Sequence, residues 1–596
     1  MPKKAAYAST EQRQNLIRSA RGEIPADVVI RNARWLDVFT GKFRSGDVAW
    51  KDGIIVGVGE HYEAKQVIDG TGQYIVPGFI DAHVHIESSL MTPVRFQQAV
   101  LPCGTTAVVW DPHEIANVKG TAGIQWALES SEGLLLDVFV MVPSCVPSTS
   151  PNAGLETSGA ALTAADLLPF RSHPRVLGLA EMMNFPGLLS GDSDIMNKLD
   201  GFSALKLDGH CPGLKGKDLN AYGVAGIHSC HESTSAEEAE EKMSKGIHVL
   251  IREGSCAKDA DALLPLLNSY TSPVLSLCSD DRNPADISVS GHINCIIDKA
   301  LHAGARPEDI FRAASFATAL TYGLEDRGAV APGYQADVVL VAPRSAAGAT
   351  QSWGHGADIK KVFKSGQLVD SGQLSRAASG RKSHFDGRNL NLAASSASDF
   401  KIAAPKDSAT AQARVIGVIP NQILTQDLTA HLGVDHGSVQ SDLSQDVLKI
   451  AVLERHHGSG GKSCAFVKGL GLKSGAIATS INHDSHNVIT VGSSDELMAR
   501  AVNELRNIDG GIVVVHADGR TESLALPIGG LMTDADPSIV TEALLRLKAL
   551  ATDAGCTLHE PFLQLSFLAL PVIPTLKITD KGLVQVLESR LVSVIY

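Results

Sequence analysis

The sequence YIVPGFIDAHVHIE at residues 74–87 is an apolar run that ends in two histidines one residue apart. Side chains at positions i and i+2 of a β-strand point the same way, so we expect His83 and His85 to project together from a strand end. Two imidazoles that face one point suit a divalent metal, although a His-x-His pair is also compatible with two surface histidines. The residues that follow in the chain help to decide between a metal-binding pair and two surface histidines.

The length and charge of the chain limit the classes of function. With 596 residues, 44% of them hydrophobic, the chain is long enough for several cores, and about three or four domains are expected. The formal net charge of −13 argues against a nucleic-acid partner, because such partners require a basic surface that releases counterions. We therefore expect a small-molecule substrate and no nucleic-acid partner. We also expect no membrane partner and a homo-oligomer.

Cysteine usage and the lack of targeting signals predict a cytoplasmic protein. The nine cysteines are odd in number and scattered, which indicates a reducing compartment and not a disulfide framework. The polar stretch Met1–Glu23 has no signal-peptide core, and no later stretch offers the roughly 18 uncharged apolar residues that a membrane span needs.

Apolar runs alternate with helix-like stretches from residue 77 onward, which predicts a parallel sheet. Together with the opening strand they make eight strands, the number and spacing of a (β/α)₈ barrel. The seven further predicted strands are Thr105–Trp110, Leu136–Val142, Val176–Ala180, Ala204–Leu207, Val224–Ile227, His248–Ile251 and Val274–Leu277. In such a barrel the active site lies at the carboxyl ends of the strands.

The flanks of the predicted barrel have a different pattern. Short alternating runs broken by Asp-Gly and Thr-Gly pairs predict β-strands before residue 76, and similar runs return after residue 328. The fold class is therefore α/β, with five predicted parts: a helical N-terminal extension at 1–25, a composite β-sandwich at 26–76 plus 328–370, the barrel at 77–327, a linker at 371–398, and a C-terminal α+β domain at 399–596.

Polar residues with metal-ligand chemistry recur immediately after the predicted strands. Any one of these histidines alone is compatible with a hydrogen-bonded structural role. Their recurrence after five strands, where apolar residues are expected, instead predicts a site for one or two divalent metals. The residues are His83, His85, Asp111, His113, Glu114, Glu181, His210, His231, Asp280 and Asp281.

The spacing and local sequence of these residues resemble the amidohydrolase superfamily, and within it the bacterial adenine deaminase family. The superfamily pattern is His-x-His on strand one, Lys or Glu on strand four, His on strands five and six, and Asp on strand eight. The segments that carry the narrower resemblance are HVHIESS (83–89), DPHEI (111–115), GLAEMM (178–183), LDGHCPG (207–213), IREGS (251–255), DDRNP (280–284) and NHDSHN (482–487).

The resemblance implies a function and a ligand set. It implies hydrolytic deamination of adenine to hypoxanthine and ammonia by a metal-activated hydroxide, in purine salvage. Two divalent metals per chain, Mn²⁺ or Fe²⁺ with Zn²⁺ also possible, would be held by His83, His85 and Asp280 on one side and by His210 and His231 on the other. Glu181 would bridge the two metals.

The resemblance assigns one of the two proton transfers to a residue and leaves the other open. Asp280 is expected to take a proton from the attacking water and pass it to the departing ammonia. The proton for ring atom N1 comes either from Glu181 or through a relay of Asp111, His113 and Glu114. For these last three residues the alternative is a helix N-terminus, where acidic side chains favour the helix dipole.

Three other functions are compatible with parts of the pattern. A cyclic amide hydrolase of the same superfamily would need a basic clamp for a substrate carboxylate, which only Arg252 or Arg282 offers. A non-catalytic scaffold would have lost metal ligands, and none is lost. A zinc nucleobase deaminase would need Pro-Cys-x-x-Cys, whereas Pro102-Cys103 is followed by Gly-Thr-Thr.

Two histidines in the C-terminal domain stand outside this ligand set. His483 and His486 lie in the polar sequence NHDSHN, which predicts a loop. We expect them to bind no metal and to shape a wall or lid over the barrel mouth.

Overall fold

The centre of the computed structural model is a set of eight parallel strands, and the structure describes residues 9–345, 352–378 and 384–596. The first five strands pair in chain order in one sheet and the last three pair in a second sheet. The strands are Phe79–Val84, Thr105–Trp110, Asp137–Val142, Val176–Met182 and Lys206–Gly209, followed by Ser229–Cys230, His248–Arg252 and Leu275–Cys278.

Backbone hydrogen bonds connect the two sheets at both seams. The His228 amide donates to the Leu207 carbonyl at 3.1 Å, beside the fifth and sixth strands. At the other seam the Asp280 amide donates to the His83 carbonyl at 3.0 Å, and the His85 amide donates to the Asp280 carbonyl at 3.1 Å. The carboxyl ends of the first and last strands therefore lie side by side, on the edge that we call the rim.

The predicted sixth strand, Val224–Ile227, is wrong. Val224 is the last residue of the helix Gly216–Val224, and the strand is the two-residue segment Ser229–Cys230. Leu219 and Tyr222 are the buried residues of that helix and lie three positions apart, so the helical period extends further along the chain than expected. The turn that follows uses Gly226 at φ +95°. The displacement leaves His231 directly after the strand.

Helices follow most of these strands and cover their outer faces. The π-helical turn Ala313–Ala317 joins the α-helices Pro307–Arg312 and Thr318–Tyr322 into one continuous helical segment. The α-helices are Pro93–Val100, His113–Lys119, Thr121–Ser130, Ala164–Leu167, Phe185–Ser190, Ser193–Phe202, Gly216–Val224, Ala236–Ser244, Ala260–Leu263, Pro284–Ser290, Ile293–His302, Pro307–Arg312 and Thr318–Tyr322.

Strands from both flanks of the central region share one six-stranded sheet. The strand Val338–Pro343 pairs antiparallel with Tyr74–Pro77. In spatial order this sheet contains Gln367–Leu368, Ala357–Lys364, Val338–Pro343, Tyr74–Pro77, Arg34–Asp37 and Lys42–Ser45, and a four-stranded sheet contains Ile54–Val58, Val48–Lys51, Ala26–Arg31 and Ala64–Asp69. The rings of Trp50 and Phe363 pack between the two sheets, with centroids 5.1 Å apart.

Two helices lie in the parts predicted as an extension and a linker. Thr10–Ala20 is helical, as expected for the N-terminal extension, whose residues 1–8 lie outside the described residues. The predicted linker at 371–398 begins with the helix Ser371–Ala378, and its residues 379–383 lie outside the described ones. Among residues 9–345, 352–378 and 384–596, no helix is long and apolar enough to cross a bilayer.

The C-terminal part is built on a ten-stranded sheet. In spatial order the strands are Ile402–Ala403, Ser438–Val439, Thr425–Asp435, Thr410–Val418, Lys462–Lys468, Val447–Leu453, Val488–Gly492, Gly475–Thr479, Gly511–His516 and Thr521–Ala525. The helices Asp495–Asn507, Pro537–Asp553 and Pro561–Ser566 and the small sheet Leu576–Thr579, Gly582–Gln585 and Arg590–Val592 accompany it.

This C-terminal part packs directly on the rim. The Asn283 side chain, which follows the eighth strand, donates to Glu560 at 2.7 Å. The antiparallel strands Gly475–Thr479 and Val488–Gly492 are joined by residues 480–487, which contain the NHDSHN sequence. We call residues 480–487 the C-terminal loop; it is buried throughout and faces the ends of the parallel strands.

Candidate active site

The first strand places its two histidines together, as their spacing predicts. The Nε2 atoms of His83 and His85 are 3.1 Å apart. The Oδ1 atom of Asp280, which follows the eighth strand, lies 3.5 Å from the first and 3.2 Å from the second. Three potential metal ligands thus meet where the first and last strands lie side by side.

Glu181 occupies the middle of the candidate site. Its Oε1 atom is 3.3 Å from His85 Nε2 and 3.7 Å from His83 Nε2. Its Oε2 atom is 2.6 Å from His210 Nδ1 and 3.2 Å from His231 Nε2. One carboxylate therefore faces both histidine sets, the arrangement that a bridging ligand requires.

The charge of this cluster is balanced internally. The six predicted ligands are each no more than 5% exposed, so water cannot solvate them. Burial and His113 act to lower the pKa of His85, but Asp280 and Glu181 outweigh them and raise it well above its ordinary value. Burial acts to raise the pKa of Glu181, but the surrounding histidines hold it well below its ordinary range.

These pKa shifts and the set of donor atoms fit a divalent cation. Ionised carboxylates surrounded by histidines need either protons on the imidazoles or a metal as the balancing charge. The ring nitrogens that face Glu181, namely His83 Nε2, His210 Nδ1 and His231 Nε2, all lie within 3.7 Å of one of its oxygens. Mixed imidazole and carboxylate donors are the ligands that Mn²⁺, Fe²⁺ and Zn²⁺ accept.

Two acidic residues of the site were missed in the sequence. Glu232 Oε1 lies 3.8 Å from His210 Nδ1 and 3.7 Å from His231 Nε2, and it forms a buried ion pair with Arg252. Asp208 Oδ2 lies 3.5 Å from His83 Nδ1. Glu232 directly follows His231 and Asp208 precedes His210 by two residues, so adjacency to a predicted ligand was the available signal.

The three predicted site residues after the second strand lie in two different places: Asp111 and His113 in the central cluster, and Glu114 outside it. His113 Nδ1 is 3.0 Å from Asp111 Oδ2 and 3.3 Å from Glu181 Oε1, so these residues join the central cluster. Glu114 instead lies near Ser88, whose hydroxyl donates to it at 3.2 Å. The helix His113–Lys119 does begin here, as the alternative interpretation requires, but its first side chains are buried at the site.

Comparison with known proteins agrees with this geometry. Residues 74–369 match the model of the amidohydrolase family, and residues 422–590 match that of the adenine deaminase C-terminal domain. The chain is 46% identical to a protein named adenine deaminase from Cereibacter sphaeroides, across 96% of this chain and 98% of that protein.

Two further relatives have the same name. One from Methylobacterium nodulans is 46% identical, across 96% of this chain and 98% of that protein. Adenine deaminase 1 of Rhizobium meliloti is 45% identical, across 97% and 99%. This chain belongs to the adenine deaminase family. Membership of this family implies a divalent metal, which the histidine and carboxylate cluster at the rim is able to hold.

The pocket of this adenine deaminase family member is formed jointly by the rim and the C-terminal part. Its rim side contains the charged cluster, whereas its C-terminal side combines three apolar residues with a histidine and an aspartate. The ring of His483 stacks on Phe567, with centroids 4.5 Å apart and planes at 11°. The C-terminal residues that line the pocket are Ile423, His483, Asp484, Phe567 and Leu570.

Both arginines that could clamp a substrate carboxylate are already engaged. Arg252 pairs with Glu232, with Asp280 Oδ2 at 3.0 Å and with Asp259 at 2.8 Å. Arg282 donates to the carbonyls of Gly291 and Glu253 and to the Ser290 hydroxyl. This adenine deaminase family member therefore lacks a free arginine among the described pocket residues, which disfavours the cyclic amide hydrolase alternative.

Replacing His486 by alanine is expected to weaken substrate binding without removing metal. His486 does not line the pocket, but its ring lies behind His483, with centroids 5.5 Å apart. A void behind His483 should loosen the pocket wall, and KM for adenine should rise by up to roughly tenfold, about 1.4 kcal/mol. Steady-state kinetics and elemental analysis test this, and a lost metal equivalent would refute it.

Proposed function

We propose that this protein hydrolyses adenine to hypoxanthine and ammonia, as purine salvage requires. The observation that carries the proposal is the 45–46% sequence identity, across nearly the full length of the chain, to proteins named adenine deaminase. The convergence of His83, His85, Glu181 and Asp280 at one point of the rim supports it. The nine unpaired cysteines support a reducing, cytoplasmic location.

We also propose that the eight strands form a complete (β/α)₈ barrel across residues 77–327. The backbone hydrogen bonds at both seams support closure. The sheet shared by the flanks supports a composite β-sandwich at 26–76 plus 328–370, and the separate ten-stranded sheet supports a C-terminal domain at 399–596. The site would then lie at the carboxyl end of the barrel, where such barrels carry catalysis.

The proposed ligand sets use the two sides of Glu181. His83, His85 and Asp280 would hold one metal, His210 and His231 the other, and Glu181 both. We propose Mn²⁺ or Fe²⁺, because the site contains more carboxylate than zinc sites of the His-and-Cys type. When bound, these cations would acidify a water molecule and stabilise negative charge that develops on the substrate.

Asp280 is the proposed proton carrier. Adenine gains the elements of water at C6 and loses ammonia. Asp280 would accept one proton from the attacking water and donate it to the amine as the C6–N bond breaks. Arg252 contacts its Oδ2 atom and would hold the carboxylate in a fixed orientation throughout.

A second group must deliver a proton to N1 and later take the C6 hydroxyl proton. Glu181 is one candidate. The other is the predicted relay of Asp111, His113 and Glu114. Of these, Asp111 and His113 lie in the central cluster, with His113 Nδ1 within 3.3 Å of both Asp111 and Glu181, whereas Glu114 lies beside Ser88. Burial acts to lower the pKa of His113, but Asp111 and Asp484 outweigh it and raise the pKa well above its ordinary value. Both carboxylates therefore favour the protonated form of His113, the form that can donate a proton.

The composition of the pocket favours a small neutral base over a nucleotide. Phosphate recognition calls for free Arg or Lys groups or a Gly-rich helix N-terminus. Arg252 is the only Arg or Lys that lines the described pocket, and it is fully paired. Aromatic and aliphatic side chains such as Phe567 and Ile423 provide apolar surface for a planar ring.

The direct test is the product analysis of Mn²⁺-loaded protein with adenine. We expect one ammonia and one hypoxanthine for each adenine consumed. A matched reaction with Glu181→Ala protein checks that turnover belongs to this site. Adenine left intact by protein that contains its full metal complement would overturn the proposal.

A further inference from the structure

A second group of potential metal ligands lies outside the ligand set proposed above. Glu114, Asp281 and His483 offer donor atoms that all lie within 4.8 Å of one another. They come from three distant parts of the chain: the segments after the second and eighth strands, and the C-terminal loop. The side chains of Glu114 and His483 are 1% and 2% exposed, and Asp281 as a residue is 6% exposed.

The geometry within this group is close to that of a coordination shell. His483 Nδ1 is 3.6 Å from Glu114 Oε1. The Ser88 hydroxyl lies between the two acids, 3.2 Å from Glu114 Oε1 and also within hydrogen-bond distance of Asp281 Oδ1, and its single proton is available to either. Ser88 therefore holds the carboxylates near each other and adds a fourth potential donor atom, its hydroxyl oxygen.

The charge of this group lacks the usual compensation. Neither Glu114 nor Asp281 forms an ion pair with a Lys or Arg among the described residues; His483 is the one basic partner of Glu114. Glu114 Oε2 and His483 Nε2 are both buried without a hydrogen-bond partner there. Two adjacent carboxylates in a dry environment repel each other, so they cannot both stay ionised unless a cation lies between them.

Nearby acidic residues do not relieve the repulsion. Glu87 is also buried beside Glu114, but its own oxygens accept hydrogen bonds from Trp110 Nε1 at 2.8 Å and from the Ile115 amide at 3.2 Å. Asp484 Oδ1 lies 3.6 Å from His113 Nε2 and 3.4 Å from His483 Nδ1, so it lies between this group and the central cluster. Glu114, Asp281 and His483 are nevertheless distinct residues from Glu181 and its histidines, and they form their own group of donor atoms.

We propose that Glu114, Asp281 and His483, with the Ser88 hydroxyl, bind a third divalent cation. Two carboxylates, a hydroxyl and one imidazole suit a hard cation such as Mn²⁺. This site would connect the rim to the C-terminal loop and hold His483 against Phe567 in the pocket wall. For His483 the proposal revises the expectation from the sequence that this residue binds no metal.

Manganese stoichiometry tests the third site. Chelated protein is reloaded with Mn²⁺, passed through a desalting column and analysed for manganese per chain. The wild type should contain three equivalents, a count that assumes the two rim metals of the proposed function. Glu114→Gln and His483→Ala should each contain two. The matched control His486→Ala, which alters a neighbouring buried histidine outside the group, should contain three.

The thermal unfolding temperature provides a second measurement of Mn²⁺ binding if one variant is unstable. Mn²⁺ should raise the thermal unfolding temperature of the wild type more than that of the near-isosteric Glu114→Gln. Equal manganese content in the wild type and in folded Glu114→Gln would overturn the third site, whatever the number of rim metals. Two equivalents with normal adenine turnover would leave the proposed function standing, whereas three equivalents without turnover would overturn the function alone.

Discussion

Removing the divalent metals is expected to abolish measurable adenine turnover. Without them, the charge of Glu181 and Asp280 is balanced by protons on histidines, since these carboxylates raise the pKa of His85 well above its ordinary value. No residue in the described pocket can then acidify a water molecule as a metal does. Chelation followed by stepwise return of Mn²⁺, with ammonia release measured at each step, tests this.

The metal titration also tests the proposed bridging role of Glu181. Because its two oxygens face separate histidine sets, at 3.3 Å from His85 and 2.6 Å from His210, activity should return only with at least two equivalents per chain. Elemental analysis at each step provides the control. Full activity at one equivalent would contradict the two-metal rim site.

Asp280→Asn is expected to lower kcat for adenine by about two to four orders of magnitude, the usual contribution of a general base or acid. The asparagine keeps an oxygen at the position that faces His83 and His85, so metal binding should largely persist. What it loses is the ability to accept a proton and return it to the amine. The measurement is kcat with manganese content determined on the same sample.

A neighbouring carboxylate provides the matched control for Asp280→Asn. Asp259 also pairs with Arg252, at 2.8 Å, but it belongs to neither candidate metal group. Asp259→Asn should therefore leave kcat and metal content nearly unchanged. Near-normal kcat in Asp280→Asn, with both metals present, would contradict the proton-carrier role.

The rim cluster was predictable because parallel strands present their carboxyl ends at one edge. Once eight strands are recognised, residues that immediately follow them must come close, whatever their separation in the chain. His83, His85, Glu181, His210, His231 and Asp280 are brought together in this way. The period of two along the first strand further indicated that its histidines share a direction.

Contacts that depend on tertiary packing could not be read in the same way. The sixth strand has only two residues, too few for a pattern, so its position was displaced by the helix before it. The C-terminal loop contacts rim residues that are hundreds of positions away in the chain. Nothing in the sequence NHDSHN indicates that His483 lies beside Glu114 and Asp281. Engagement of Arg252 by Glu232 is likewise visible only in three dimensions.

The measurement that tests the central claim most directly is kcat/KM for four substrates with Mn²⁺-loaded protein: adenine, adenosine, AMP and dihydroorotate. Adenine should give the highest value, because the described pocket offers apolar surface and no free cation for a phosphate or carboxylate. Preference for adenosine or AMP would contradict recognition of the free base. Preference for dihydroorotate would contradict deamination itself.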